Sequence, residues 1–156
     1  LSATAITEVA RDSLPLEHRA AIAAAIAVSR NAYAPYSGFR VGAAALLSDG
    51  SFITGCNFEN ISYGLSLCAE TVALAAANSA GRLKDVVLVA VIAEGEIAGA
   101  DAPAVIAPCG RCRQIIAEAA GVSGRDIEVL MLARNGVTVR CAKISTLLPL
   151  AFAGER

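Results

Sequence analysis

Apolar positions along this chain change their spacing several times, and each change marks an element. From Leu16 to about Tyr33 the segment is alanine-rich, with Leu16, Ile22, Ile26 and Arg30 at near-helical spacing. This predicts a first helix, ended by the turn Ala34-Pro35-Tyr36-Ser37-Gly38. Phe39 to Leu47 and Ser51 to Cys56 read as strands joined through Ser48-Asp49-Gly50, a hairpin signal. A polar loop from Asn57 to Gly64 leads into a second helix over about Leu67 to Ser79, stopped by Gly81. Asp85 to Ala93 is a continuous apolar run of strand length, and Glu94 to Pro108 is a loop. Gly110 to Ala120 is a third helix, ended by Gly121. Ile127 to Ala133 and Val137 to Cys141 are two more strands, and a short helical piece lies near Ser145 to Leu148.

Five strands with helices between some of them predict an α/β fold, a mixed sheet covered on both faces in three α/β/α layers. The last two predicted strands are separated only by Arg134-Asn135-Gly136. A turn that short makes them an antiparallel hairpin, because a parallel pair needs a crossover of about a dozen residues or more. Residues 1–14 are polar and irregular and read as a flexible arm. With no repeat and no linker, residues 15–156 read as one domain.

Composition narrows the function. Hydrophobic residues make up 56% of the 156 and charged ones 17%, which argues against disorder. The net charge is −1, with neither the basic excess nor the basic stripe expected of a nucleic-acid binder. The longest apolar run, Ala20 to Val28, is too short to span a bilayer and sits between Arg19 and Arg30. No charged leader with a cleavage site opens the chain, so the five cysteines, an odd count, read as reduced thiols or metal ligands in a cytoplasmic protein.

Two strings carry the chemistry: Cys68-Ala69-Glu70, and Pro108-Cys109-Gly110-Arg111-Cys112. Cys109 and Cys112 open the third helix and Cys68 opens the second. Helix N-termini favour thiolate over thiol. Cys56 and Cys141 fall in strands, which leaves Cys68 as the choice for a third ligand. Taken alone, the CxxC is equally a redox pair or half of a structural zinc site, and Glu70 is a solvated helix residue. Joined, they give three thiolates and a proton carrier. A structural zinc is closed by four protein ligands, whereas a catalytic zinc keeps one position for water. A ligand-x-Glu followed by Pro-Cys-x-x-Cys is the signature of the zinc deaminases. Glu70 would take a proton from water and pass it to the base, acting first as base and then as acid.

The same residues resemble a known family. Ala34 to Ala44, Gly55-Cys56-Asn57-Phe58-Glu59-Asn60, Tyr63-Gly64-Leu65, Cys68-Ala69-Glu70, Pro108 to Gln114, and Leu147-Leu148-Pro149 with Phe152 are together similar to cytidine deaminase in its small homotetrameric form. The resemblance runs from about Ala32 to Phe152. It implies one zinc per chain and hydrolysis of cytidine and deoxycytidine to uridine and deoxyuridine in pyrimidine salvage. It also implies Asn57 and Glu59 on the sugar hydroxyl, Phe39 and Phe152 packed on the pyrimidine, and Glu70 with the main chain around Ala69 reading the base edge. Tyr63 would lie at a subunit border, so that a homotetramer shares its active sites. In one place the chain departs from the family: members with three cysteines usually carry an arginine after the glutamate, where this chain has Thr71. Three thiolates outweigh the charge of one zinc ion, and Arg111 or Arg113 is the expected source of the compensating cation.

Three rivals stand beside this reading. A blasticidin S deaminase shares the three-cysteine logic, but Asn57 with Glu59 and the Pro-Tyr-Ser-x-Phe string favour the ordinary nucleoside. A polynucleotide-editing deaminase tends to have a parallel last strand, against the Asn-Gly hairpin here. A non-enzymatic zinc-binding relative has no use for Glu70 beside an open ligand position.

Overall fold

A computed structural model describes residues 5–94 and 105–154. Most of the expected loop from Glu94 to Pro108 therefore lies outside the described residues. The elements, in chain order, are β1 (Thr7–Ala10), α1 (Leu16–Ser29), β2 (Arg40–Leu47), β3 (Phe52–Cys56), α2 (Ala69–Ser79), β4 (Val86–Glu94), α3 (Gly110–Ser123), β5 (Glu128–Leu132), β6 (Thr138–Lys143) and α4 (Ile144–Leu147). The strands form one mixed sheet in the order β1-β6-β5-β4-β2-β3. Only β4 and β5 run parallel, with α3 between them in the chain; the other neighbours are antiparallel.

The sheet has six strands, not the five expected. The additional strand comes from the segment read as an arm: Thr7 to Ala10 pair with Cys141 to Thr138 along the free edge of β6, and Glu8 meets Arg140 at 2.9 Å. Four residues with a single half-buried position carry no alternation strong enough to identify a strand. The hairpin of β5 and β6 is antiparallel, as its Asn135-Gly136 turn requires.

Alternation along the central strands sorts side chains to two faces. Ala44, Leu46, Leu88, Ala90, Ile92 and Leu130 pack against Ala21, Ile22 and Ala25 of α1. Ala45, Leu47, Val89, Val91, Val129 and Met131 pack against Leu74, Ala77, Ile116 and Ala119 of α2 and α3. This is the three-layer arrangement expected.

Two helix ends differ from expectation. The first helix stops at Ser29 rather than near Tyr33, because Tyr33 is drawn into an extended bridge. Its N–H donates to Asn57 O at 3.1 Å and its carbonyl accepts from Glu59 N–H at 2.9 Å. The third helix runs through Gly121 to Ser123 and ends where Gly124 takes φ 66°.

Candidate active site

The second helix cannot begin before Cys68, because Leu67 is held extended by paired backbone bonds with Phe58 at 2.9 and 3.0 Å. Cys68 is therefore the N-cap of α2, and Cys109 is the N-cap of α3. The two helix N-termini meet, bringing Cys68, Cys109 and Cys112 together with all three Sγ atoms within 4.8 Å of one another. The Cys112 thiol donates to Cys68 and holds the Cys68 thiol down at about 6. The same contact, together with burial, pushes Cys112 far up.

The donor set fits zinc. A tetrahedral zinc with bonds of about 2.3 Å to sulfur spaces its thiolates roughly 3.8 Å apart, and Cys68 and Cys109 lie 3.9 Å apart. Three thiolates at two helix N-termini leave one tetrahedral position without a protein ligand.

Glu70, the second residue of α2, is 4% exposed. Burial pushes its carboxyl above the ordinary carboxylate range, as expected of a group that exchanges protons near neutrality. It forms part of the wall of a cavity of about 500 Å³. Phe39, Asn57, Glu59, Tyr63, Cys68, Ala69 and Cys109 line the same space, so with Glu70 eight of the twelve residues singled out in the sequence converge there. Among the described lining residues none is Lys, Arg or His.

Asn57 and Glu59 are held firmly. Asn57 accepts from Val41 N–H at 2.8 Å and donates to Phe39 O at 2.9 Å. It thereby fixes the start of β2 as well as facing the cavity. Glu59 accepts from the Ser37 hydroxyl and from the N–H groups of Tyr36 and Ser37, at 2.9 and 3.3 Å for the latter two. These bonds, the Ser37 hydroxyl foremost, hold its carboxyl below the usual range and so keep it charged. Tyr36 and Ser37 entered the sequence reading as part of the Pro-Tyr-Ser-x-Phe string, with no contact to Glu59 assigned to them.

The profile of the cytidine and deoxycytidylate deaminase zinc-binding region matches residues 16–124. A cytidine deaminase of Halalkalibacterium halodurans is 43% identical over 140 residues, covering 90% of this chain and 97% of that one. The chain belongs to the cytidine deaminase family. A solved cytidine deaminase from Burkholderia pseudomallei superposes with a TM-score of 0.74 at 43% identity, covering 86% of this chain and 98% of that one. The cytidine deaminase of Mycobacterium tuberculosis gives a TM-score of 0.67 at 35% identity, covering 90% of this chain and 100% of that one. As a family member this protein is a zinc-dependent hydrolytic deaminase, and its Cys68, Cys109 and Cys112 cluster could hold the metal.

Within one chain of this deaminase, four expected residues lie outside the cavity lining: Cys112, buried behind it in the sulfur cluster, and Phe152, Arg113 and Arg111. The Phe152 residue is 85% exposed and outside the lining, its backbone clamped by Gln114 at 2.8 and 3.0 Å. Arg113 does not face the sulfurs as a compensating cation. It donates to Pro108 O at 2.8 Å and to Leu147 O at 3.1 Å, tying α3 to α4. Arg111 reaches back toward α2, 3.4 Å from Ser66 O, and its charge favours the Cys68 thiolate.

Proposed function

We propose that this deaminase converts cytidine and deoxycytidine to uridine and deoxyuridine, taking up water and releasing ammonia. The observation that carries the reading is the buried Glu70 carboxyl beside the three-sulfur cluster, on the wall of a cavity whose described lining includes carboxylates and no cation.

Cys68, Cys109 and Cys112 would hold one zinc per chain. When bound, zinc supplies Lewis acidity that brings the pKa of water from about 15.7 to about 7. Glu70 would take one proton from the attacking water and deliver it to N3 of the pyrimidine, where it stays in the product and makes C4 more electrophilic. After the oxygen has added at C4, Glu70 would take the second proton from that new hydroxyl and pass it to the amino group, so that ammonia leaves as the C4 carbonyl forms. Burial raises the Glu70 carboxyl above the ordinary range, which makes its protonated form easier to reach. The backbone at Ala69, the first residue of α2, presents helix N-terminal N–H groups that no carbonyl of the helix uses. They read the base edge, while the half-buried Phe39 ring packs on its face.

Glu59 and Asn57 take the sugar. An ionised carboxylate has about four acceptor sites. Three are filled by Tyr36 and Ser37, which leaves one for a sugar hydroxyl. A fixed negative charge at that end, with no cation among the described lining residues, favours a neutral nucleoside over a nucleotide.

The reading includes a homotetramer with shared sites, located in the cytoplasm, where thiolate ligands stay reduced. Tyr36 and Tyr63, whose rings meet at the cavity wall, are exposed, as are Phe58, Ile61 and Leu65 of the same loop, apolar surface suited to a subunit border. Phe152 then enters a neighbour's site.

The test is zinc analysis and light scattering on the purified protein, with ultraviolet-monitored turnover of cytidine, deoxycytidine, deoxycytidylate, adenosine and blasticidin S. The expected result is one zinc per chain, a mass four times the 15.8 kDa chain, and conversion of the first two compounds only. Zinc without turnover of either nucleoside contradicts the reading.

A further inference from the structure

Thr71 stands in the first turn of α2, directly after Glu70, and its hydroxyl oxygen lies 3.7 Å from Cys112 Sγ across the gap between α2 and α3. The sulfur it meets is wholly buried, so water does not compete for the contact. The backbone carbonyls a helical threonine ordinarily turns back to are already engaged. Leu67 O accepts from Phe58 N–H, and Cys68 O accepts from Val72 N–H. The three sulfurs thus differ in surroundings: Cys68 has the Arg111 charge nearby, Cys109 is exposed, and Cys112 has Thr71.

We propose that Thr71 is a positioning residue for the metal, its hydroxyl donating to the Cys112 thiolate and drawing charge from it. The proposal rests on the zinc reading above. A cysteine that ligates a metal has lost its proton and can only accept, so the direction of this bond is fixed once the metal is held. A donor to a thiolate offsets part of the excess negative charge of a three-thiolate site. It also ties the helix carrying Cys68 and Glu70 to the helix carrying Cys109 and Cys112, which fixes where the carboxyl stands relative to the metal. Outer contacts of this kind typically change metal affinity by about 10- to 100-fold.

The experiment compares wild type, Thr71→Val and Thr71→Ser by competition with a chromophoric zinc chelator, and by the thiolate-to-metal absorption band of the cobalt-substituted protein. Neither readout depends on turnover, so the outcome is separable from failure of the substrate assignment. Valine keeps the shape of threonine and lacks only the donor. Thr71→Val is expected to bind zinc about 10- to 100-fold more weakly and to shift the cobalt band to lower energy, the thiolate having become more electron-rich. Thr71→Ser is expected to match wild type in both. An unchanged affinity and band in Thr71→Val would overturn the proposal. So would a loss in Thr71→Ser as large as that in Thr71→Val, since the γ-methyl and not the hydroxyl would then be responsible.

Discussion

The two arginines flanking Cys112 share the first turn of α3 but leave it on different sides, and they do different things. Both guanidiniums are cations near three thiolates by sequence. Arg113 spends its donors on the carbonyls of Pro108 and Leu147, whereas Arg111 extends over the exposed side toward Ser66 and Cys68. We therefore assign charge compensation to Arg111. Arg111→Ala is expected to speed zinc loss to a chelator severalfold while leaving the melting temperature of the metal-free protein unchanged. Arg113→Ala is expected to lower that temperature, through two lost charged hydrogen bonds. Equal zinc loss in both variants would remove the distinction. Sequence spacing identified both residues as candidates but not their partners, because Leu147 lies 34 positions away. The cysteines and Glu70 were legible for the opposite reason: their chemistry requires particular residue types at short, fixed spacing. Ser37 was not, since a serine in a polar turn looks the same whether or not its hydroxyl holds a carboxylate.

At the scale of elements, the Glu70 side and the Asn57 side of the cavity are keyed to each other where α2 crosses β3. Gly55 sits at that crossing. A Cβ there would meet Ala69 O at 2.6 Å and the Ala73 backbone nitrogen closer still, both on α2. Asn57 follows Gly55 by two residues, and Glu70 adjoins Ala69. Gly55→Ala must push the Glu70-bearing helix away from the strand that leads to Asn57. It is expected to cost about 1–3 kcal/mol of stability by overpacking and to lower kcat/KM for cytidine at least tenfold. Gly42 supplies the comparison. Its Cβ would strike Ala25 O of α1, on the far face of the sheet. Gly42→Ala is expected to destabilise comparably and to keep kcat/KM per folded molecule. Equal loss of activity in both would show that general destabilisation is responsible. Element types were legible because apolar spacing and turn residues agree locally. Where ends were misplaced, a tertiary contact decided them, as when bonds to Asn57 and Glu59 straighten Tyr33.

Across the whole molecule, the cavity draws on the N-terminal ends of α2 and α3, the start of β2, the segment after β3, and Val91 of β4. No one of these segments could bind a nucleoside, and only the order of the sheet brings them together. The strand order itself was only partly legible. The Asn-Gly turn fixed the last hairpin, but nothing in residues 7–10 announced a sixth strand at the β6 edge. The site survives that omission because β1 lies at the end of the sheet remote from β2 and β3.

We propose that Glu70 moves the protons of the hydrolysis and that Cys68, Cys109 and Cys112 hold the metal. Zinc content and cytidine turnover of Glu70→Gln, measured on one preparation beside wild type, separate the two roles. Glutamine keeps the shape and cannot carry the proton. Undiminished zinc and turnover reduced by roughly 100-fold or more are expected. Turnover near the wild-type rate with zinc in place would overturn the role of Glu70.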